Sequence, residues 1–310
     1  MSKIIFSEEG WDDYFMTNTS KPLPPWADKI PEGAFISYET TYKVGEYFSL
    51  FKKEHFGSMN HSMNYYFYDP TEHGFSKNKD YPLFIFLHGA TNALEGDVCI
   101  NYAGAEFYAT EEYQKEFGGA YLLVPLANEY YDEEENLKGF WDESYTEPLF
   151  NLINNFIQTK TNGISKKVVF GNSSGATMSF KMVTAYTDFF DALIPIGSNN
   201  IPEDKILDEY DKNDVYLFFA YGKHDEFHSY EEEILPRIPR LEKMKHCFIF
   251  TPDWVYNGDG GVASINFGKE MGQHCLINSM HTNLKLDDGT ILDSRLPNGV
   301  TGWLRDLIIY

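Results

Sequence analysis

A pentapeptide near the middle of the chain, Gly171-Asn172-Ser173-Ser174-Gly175, holds the first residues able to do chemistry. A serine hydroxyl is a weak nucleophile until a base takes its proton, and small flanking residues let the backbone turn sharply enough to present it. The G-x-S-x-G pattern alone says little, because 24 Gly in 310 residues supply about one chance match in ten chains. Its context says more. The apolar run 167–170 precedes it and a helical pattern follows, so Ser173 sits on a strand-to-helix turn and projects above a sheet.

Three further elements supply what such a serine needs. Phe86-Leu87-His88-Gly89-Ala90 ends an apolar run, and the loop after such a strand can donate a backbone N–H to a developing oxyanion. Ala90 is the first candidate donor and Thr91 the next; Ser174, directly after the serine, supplies the second amide. His88, at a strand end, reads as a structural histidine. Ala220-Tyr221-Gly222-Lys223-His224-Asp225 ends another run, and a carboxylate there can orient an imidazole and stabilise its cation. Asp225 is that carboxylate, with Glu226 as the alternative. A base must then follow in the chain, and of nine histidines His228 comes too soon and His246 starts a strand-like run. His274, after a glycine-containing loop, is preferred to His281, which lies within the helical-looking stretch 276–284. Asn257-Gly258-Asp259-Gly260-Gly261 suggests calcium, but it lacks the carboxylate spacing and closing Glu of an EF-hand loop and reads as a turn.

The elements that must position these residues follow from periodicity. Short runs at 83–87, 120–125, 168–170, 192–196, 215–220 and 247–250 are apolar on both faces, as strands covered by helices on both sides are. Between them, Leu149, Leu152, Ile153, Phe156 and Ile157 share one helical face, as do Met178, Met182, Val183 and Tyr186, and Tyr113 and Phe117 close another helix before Gly118. Strand and helix alternate, which predicts an α/β class with a mostly parallel sheet between helical layers. Residues 34–43 and 63–68 are rich in strand formers. Pro22, Pro24, Pro25 and Pro31 break the early chain, yet Trp11, Tyr14, Phe15 and Trp26 are too many aromatics for a free tail. Residues 1–60 are therefore read as an extension packed on a catalytic domain at 61–310. Covering the sheet edge, leaning over the site or forming a homodimer interface are the roles open to it.

Composition excludes other classes. Lys+Arg number 25 against 47 Asp+Glu, a net charge of −22, so nucleic acid and anionic membrane surfaces are not expected partners. No run approaches the roughly 18 apolar residues of a membrane span, and the first dozen residues do not read as a secretory signal. Cys99, Cys247 and Cys275 lack metal-ligand spacing and are read as free thiols of a cytoplasmic protein.

Together, His88-Gly89, the turn around Ser173, Gly222-x-x-Asp225 and a late histidine resemble an α/β-hydrolase over about residues 63–310. Within that superfamily the chain is most similar to the compact esterases, the feruloyl, acetyl and polyhydroxybutyrate-depolymerase-like group. The resemblance implies an acyl-enzyme mechanism on a small-molecule ester, no cofactor and no metal. Two departures stand out: the histidine context Met271-Gly272-Gln273-His274-Cys275 differs from the common form, and only residues 198–213 lie where many relatives insert a cap. Substrate contacts are then expected from Asn172 and from the loop aromatics Phe140 and Trp141. A peptidase or acyltransferase on the same residues, or a binding protein that keeps the fold, are the competing readings.

Overall fold

The computed structural model describes residues 26–37, 43–57, 62–266, 269–270, 272–274 and 276–309. Trp11, Tyr14, Phe15 and Cys275, about which the sequence raised expectations, lie outside them. Eight strands form the central sheet: β1 (Lys52–Gly57), β2 (Ser62–Tyr68), β3 (Tyr81–Leu87), β4 (Tyr121–Pro125), β5 (Ile164–Asn172), β6 (Ala192–Ile196), β7 (Tyr216–Ala220) and β8 (Cys247–Phe250). They are ordered β8-β7-β6-β5-β3-β4-β2-β1. Pairing is parallel from β8 through to β4, while β2 runs antiparallel to both of its neighbours. Each apolar run read from the sequence is one of these strands.

Alternation along the strands builds two cores. Phe84 and Phe86 of β3 face one side with Leu122, Val124, Val168 and Phe170. Leu83, Ile85 and Leu87 face the other with Leu123, Val169 and Leu193. The first side is covered by α1 (Glu111–Phe117) and α5 (Gly299–Ile309). The second is covered by α2 (Thr146–Thr159), α3 (Ser174–Ala185) and α4 (Asp204–Lys212), whose apolar faces supply Leu149, Phe156, Met178, Met182, Leu207 and Tyr210. Fully burying side chains of this size contributes about 1.5–3 kcal/mol each. The class is thus α/β with helices on both faces, and α4 alone occupies the position where a larger cap would stand.

Two expectations change. The boundary at residue 60 falls inside the edge hairpin, because β1 already pairs with β2 across six residue pairs. The stretch 276–284 forms helix only at Ile277–His281, since Asn283 and Leu284 take φ of 53° and 59°, a left-handed pair that ends it. Segment 257–261 is a closed turn: Gly260 N–H donates to the Asn257 carbonyl, and Asp259 accepts from Ser37 Oγ and Gly261 N–H. Cys99 and Cys247 are unpaired thiols. Among the described residues, no helix is long and apolar enough to cross a membrane.

Candidate active site

Ser173 occupies the turn between β5 and α3 with φ 54° and ψ −116°, a strained conformation for a residue with a side chain. The packing around it explains the two glycines. A Cβ on Gly171 would lie 2.2 Å from the Gly175 carbonyl oxygen, and one on Gly175 would lie 2.1 Å from the Leu87 carbonyl oxygen. Only hydrogen fits at either place, so β3, β5 and α3 approach closely enough to hold the turn. Ser173 N–H donates to the Ile196 carbonyl at 2.8 Å, which ties it to β6 as well.

The structure brings Ser173, His274 and Asp225 together. Ser173 Oγ is 2.9 Å from His274 Nε2, and His274 Nδ1 is 2.6 Å from Asp225 Oδ2. With the Nδ1 proton donated to the carboxylate, Nε2 is left to accept from the serine hydroxyl. The Asp225 side chain is 0% exposed. Its second oxygen accepts from the Phe227 and His228 N–H groups at 2.8 and 3.1 Å, which fixes its orientation. Phe227 meets the His274 ring edge to face at 4.6 Å. His281 is elsewhere: it is buried, contacts the Asn101 carbonyl through Nε2 at 3.0 Å and lies beside Phe107, and burial pushes its pKa down to about 3.

A cleft of about 490 Å³ opens over Ser173. Ala90, Thr91, Ser174 and Asn172 line it, together with Glu95, Tyr102, Asn199 and Phe227. Ser174 heads α3, where the first turn leaves N–H groups without intrahelical partners and the dipole is positive. Asn172 Oδ1 and Ser174 Oγ are buried and have no protein partner among the described residues, so both are open to a ligand or water.

Phe140 and Trp141 do not line this cleft. Phe140 is 42% exposed, and Trp141 is buried with its ring 5.0 Å from that of His88 and its Nε1–H donating to the His88 carbonyl at 3.0 Å. Trp141 thus serves the loop after β3 and does not wall this cleft. His88 is structural as expected from its strand end: Nε2 accepts from Ala127 N–H at 3.0 Å, so the proton sits on Nδ1 and goes to the Gly89 carbonyl at 2.7 Å. Burial holds its pKa down at about 4, so the ring stays neutral.

Two carboxylates hold the loops of the site: Glu129, which the sequence reading did not single out, and Glu226, its alternative to Asp225. Glu129 accepts from Thr91 and Ala93 N–H groups, both at 3.0 Å. Thr91 sits at φ 74°, a left-handed conformation costly for a β-branched residue, and this grip helps to maintain it. Glu226 is not on the imidazole; it accepts from Gln273 and His274 N–H groups at 3.0 and 2.7 Å. Both residues follow the end of a strand, the signal that singled out Asp225, and that signal extends to Glu129 just past β4.

Similarities to known proteins agree with this architecture. Residues 57–198 match the model of the Esterase family. A thermostable esterase superposes with a TM-score of 0.58 at 14% identity, covering 76% of this chain and 61% of that one. Est1E from Butyrivibrio proteoclasticus superposes with a TM-score of 0.50 at 12% identity, covering 83% and 99%. The chain has the α/β-hydrolase fold. A search of curated proteins gives no match. The match spans the turn at Ser173 and the loop after β3, and it ends before Asp225, Glu226 and His274. The match to the Esterase model and the fold together support a hydrolase function.

Proposed function

We propose that this α/β-hydrolase is a serine carboxylesterase acting on short-chain or aromatic acyl esters through an acyl-enzyme. The observation that carries the reading is the continuous path from Ser173 Oγ through His274 to the buried Asp225. His274 Nε2 takes the hydroxyl proton as Oγ attacks the ester carbonyl. The carbonyl oxygen becomes an oxyanion, and the Ala90 and Ser174 amides receive it, each worth about 3 kcal/mol at comparable sites. His274, now a cation held by Asp225, gives its proton to the departing alcohol. Water then enters, loses a proton to Nε2 and attacks the acyl carbon; collapse releases the acid and returns the proton to Ser173.

The cleft favours small or aromatic acyl groups over long chains. Its lining offers Ala90, Tyr102 and Phe227, and among the described residues no Leu, Ile, Val or Met lines it, so a long alkyl chain would meet Asn92, Asn172, Asn199 and Asn200. Tyr102 and Phe227 offer rings to an aromatic acid. p-Nitrophenyl acetate and butyrate should be turned over at least about 10-fold faster, in kcat/KM, than the laurate. Ser173→Ala should lose activity by at least about 1,000-fold. Retained ester turnover in that variant, or amide hydrolysis faster than ester hydrolysis, would overturn the reading.

A further inference from the structure

We propose that Glu226 is a positioning residue for His274, and that Trp26, from the N-terminal part of the chain, completes its grip. The inference rests on the serine esterase reading and adds a device to it. Two adjacent carboxylates hold one histidine by its two ends: Asp225 takes the ring and Glu226 takes the backbone.

The geometry is specific. Glu226 Oε2 accepts from His274 N–H at 2.7 Å, and Oε1 accepts from Gln273 N–H at 3.0 Å and from Trp26 Nε1–H at 3.2 Å. The histidine belongs to no strand of the central sheet, so its position depends on these contacts and on close approach. A Cβ on Gly222 would lie 2.6 Å from the Gln273 carbonyl oxygen, and one on Gly197 would lie 3.3 Å from that of His274. Those glycines let the loop settle against the ends of β6 and β7, and Glu226 sets where along them it stops.

Trp26 is itself fixed. It is 4% exposed, its ring lies 5.3 Å from that of Trp254, and Trp254 stacks at 3.8 Å on His224, one residue before Asp225. Further along, Ile36–Ser37 pairs in parallel with Val262–Ala263, and Ser37 Oγ bonds both Asp259 and Asn257. The segment 26–37 is therefore fastened to the acid side at Trp26 and to the approach of the histidine loop at Ser37. This gives segment 26–37 a role in catalytic geometry, because a displacement of about 1 Å at a reacting group can cost about 100-fold in rate.

The test uses the full chain, p-nitrophenyl acetate, and active sites counted with a fluorophosphonate. In Glu226→Gln the amide keeps one acceptor but turns a donor toward the other N–H. kcat per titrated site should fall about 10- to 100-fold with KM within about two-fold. Trp26→Phe keeps the ring packing and removes only the donor; it should lower kcat about two- to five-fold, again with KM unchanged. Trp26→Phe also decides the matter if Glu226→Gln does not fold. Unchanged kcat per site in the folded variants, with only thermal stability reduced, would overturn the proposal. Failure of the esterase reading is distinguishable: the wild-type chain would then neither take the probe nor turn over the ester.

Discussion

On one side of Ser173, the loop after β3 is gripped by a buried carboxylate and an indole. Glu129 takes the Thr91 and Ala93 amides, and Trp141 takes the His88 carbonyl. On the other side, Glu226 takes the Gln273 and His274 amides, and Trp26 donates to Glu226 itself. In both places burial pushes the glutamate up to about 7, against amide hydrogen bonds that pull it down. The two differ in how far the chain must travel. Glu129 lies 36 and 38 residues from its partners, just past a strand that neighbours β3. Glu226 lies 47 and 48 residues from its amides and 200 from Trp26. A carboxylate can thus serve as a fixed acceptor pair for a loop outside the sheet, whether its partners are near in sequence or far. The loop after β3 lies within the residues that match the Esterase model, whereas the histidine side joins Trp26 to Glu226, Gln273 and His274.

The largest effect should come at the Ser173 turn that lies between the two sides. Gly175→Val places side-chain atoms against the Leu87 and His88 carbonyls, so ester turnover should fall below detection, by at least about 1,000-fold; a folded, active variant would show that the Ser173 turn does not depend on this close approach to β3. Glu129→Ala should come next, with kcat lowered about 100-fold through misplacement of the Ala90 amide and KM little changed. An effect smaller than that of Glu226→Gln would reverse the ranking of the two sides.

Stability against pH separates the carboxylates from the indoles. A carboxyl whose pKa is higher in the folded than in the unfolded chain binds its proton more tightly when folded. That contribution is complete below the unfolded value and is lost as pH rises through the folded one, here about 7 for Glu129 and Glu226. Melting temperature should therefore fall between about pH 5 and pH 8, and Glu129→Gln or Glu226→Gln should each flatten that slope. The net charge of −22 adds its own pH-dependent repulsion, so the measurement that counts is the difference between each variant and wild type. Equal slopes would remove the glutamates from the account. The smallest effect is expected for Trp141→Phe, which keeps the packing on His88 and loses one hydrogen bond, at about 1 kcal/mol of stability by thermal unfolding.

Much of the architecture was legible because buried parallel strands write themselves as short apolar runs, and helices as faces of fixed period. The chemical residues were legible by order and by strand-end position, which is why Ser173, Asp225 and His274 could be named before their contacts were known. Trp141 was misplaced for a physical reason: an aromatic on a loop reads as a pocket wall, but its indole N–H had a carbonyl to satisfy beneath the loop. Glu129 left little trace and Glu226 was read only as the alternative to Asp225, since their partners are backbone amides, which every residue carries. Trp26 was read as packed, but a partner 200 residues away leaves no local mark.

The central claim is that His274, held by Asp225, activates Ser173. A fluorophosphonate followed by peptide mass spectrometry tests it most directly. The label should appear on Ser173, and the labelling rate should drop at least about 1,000-fold in His274→Ala while His281→Ala, if folded, stays close to wild type. Labelling of another serine, or undiminished labelling of Ser173 without His274, would contradict it.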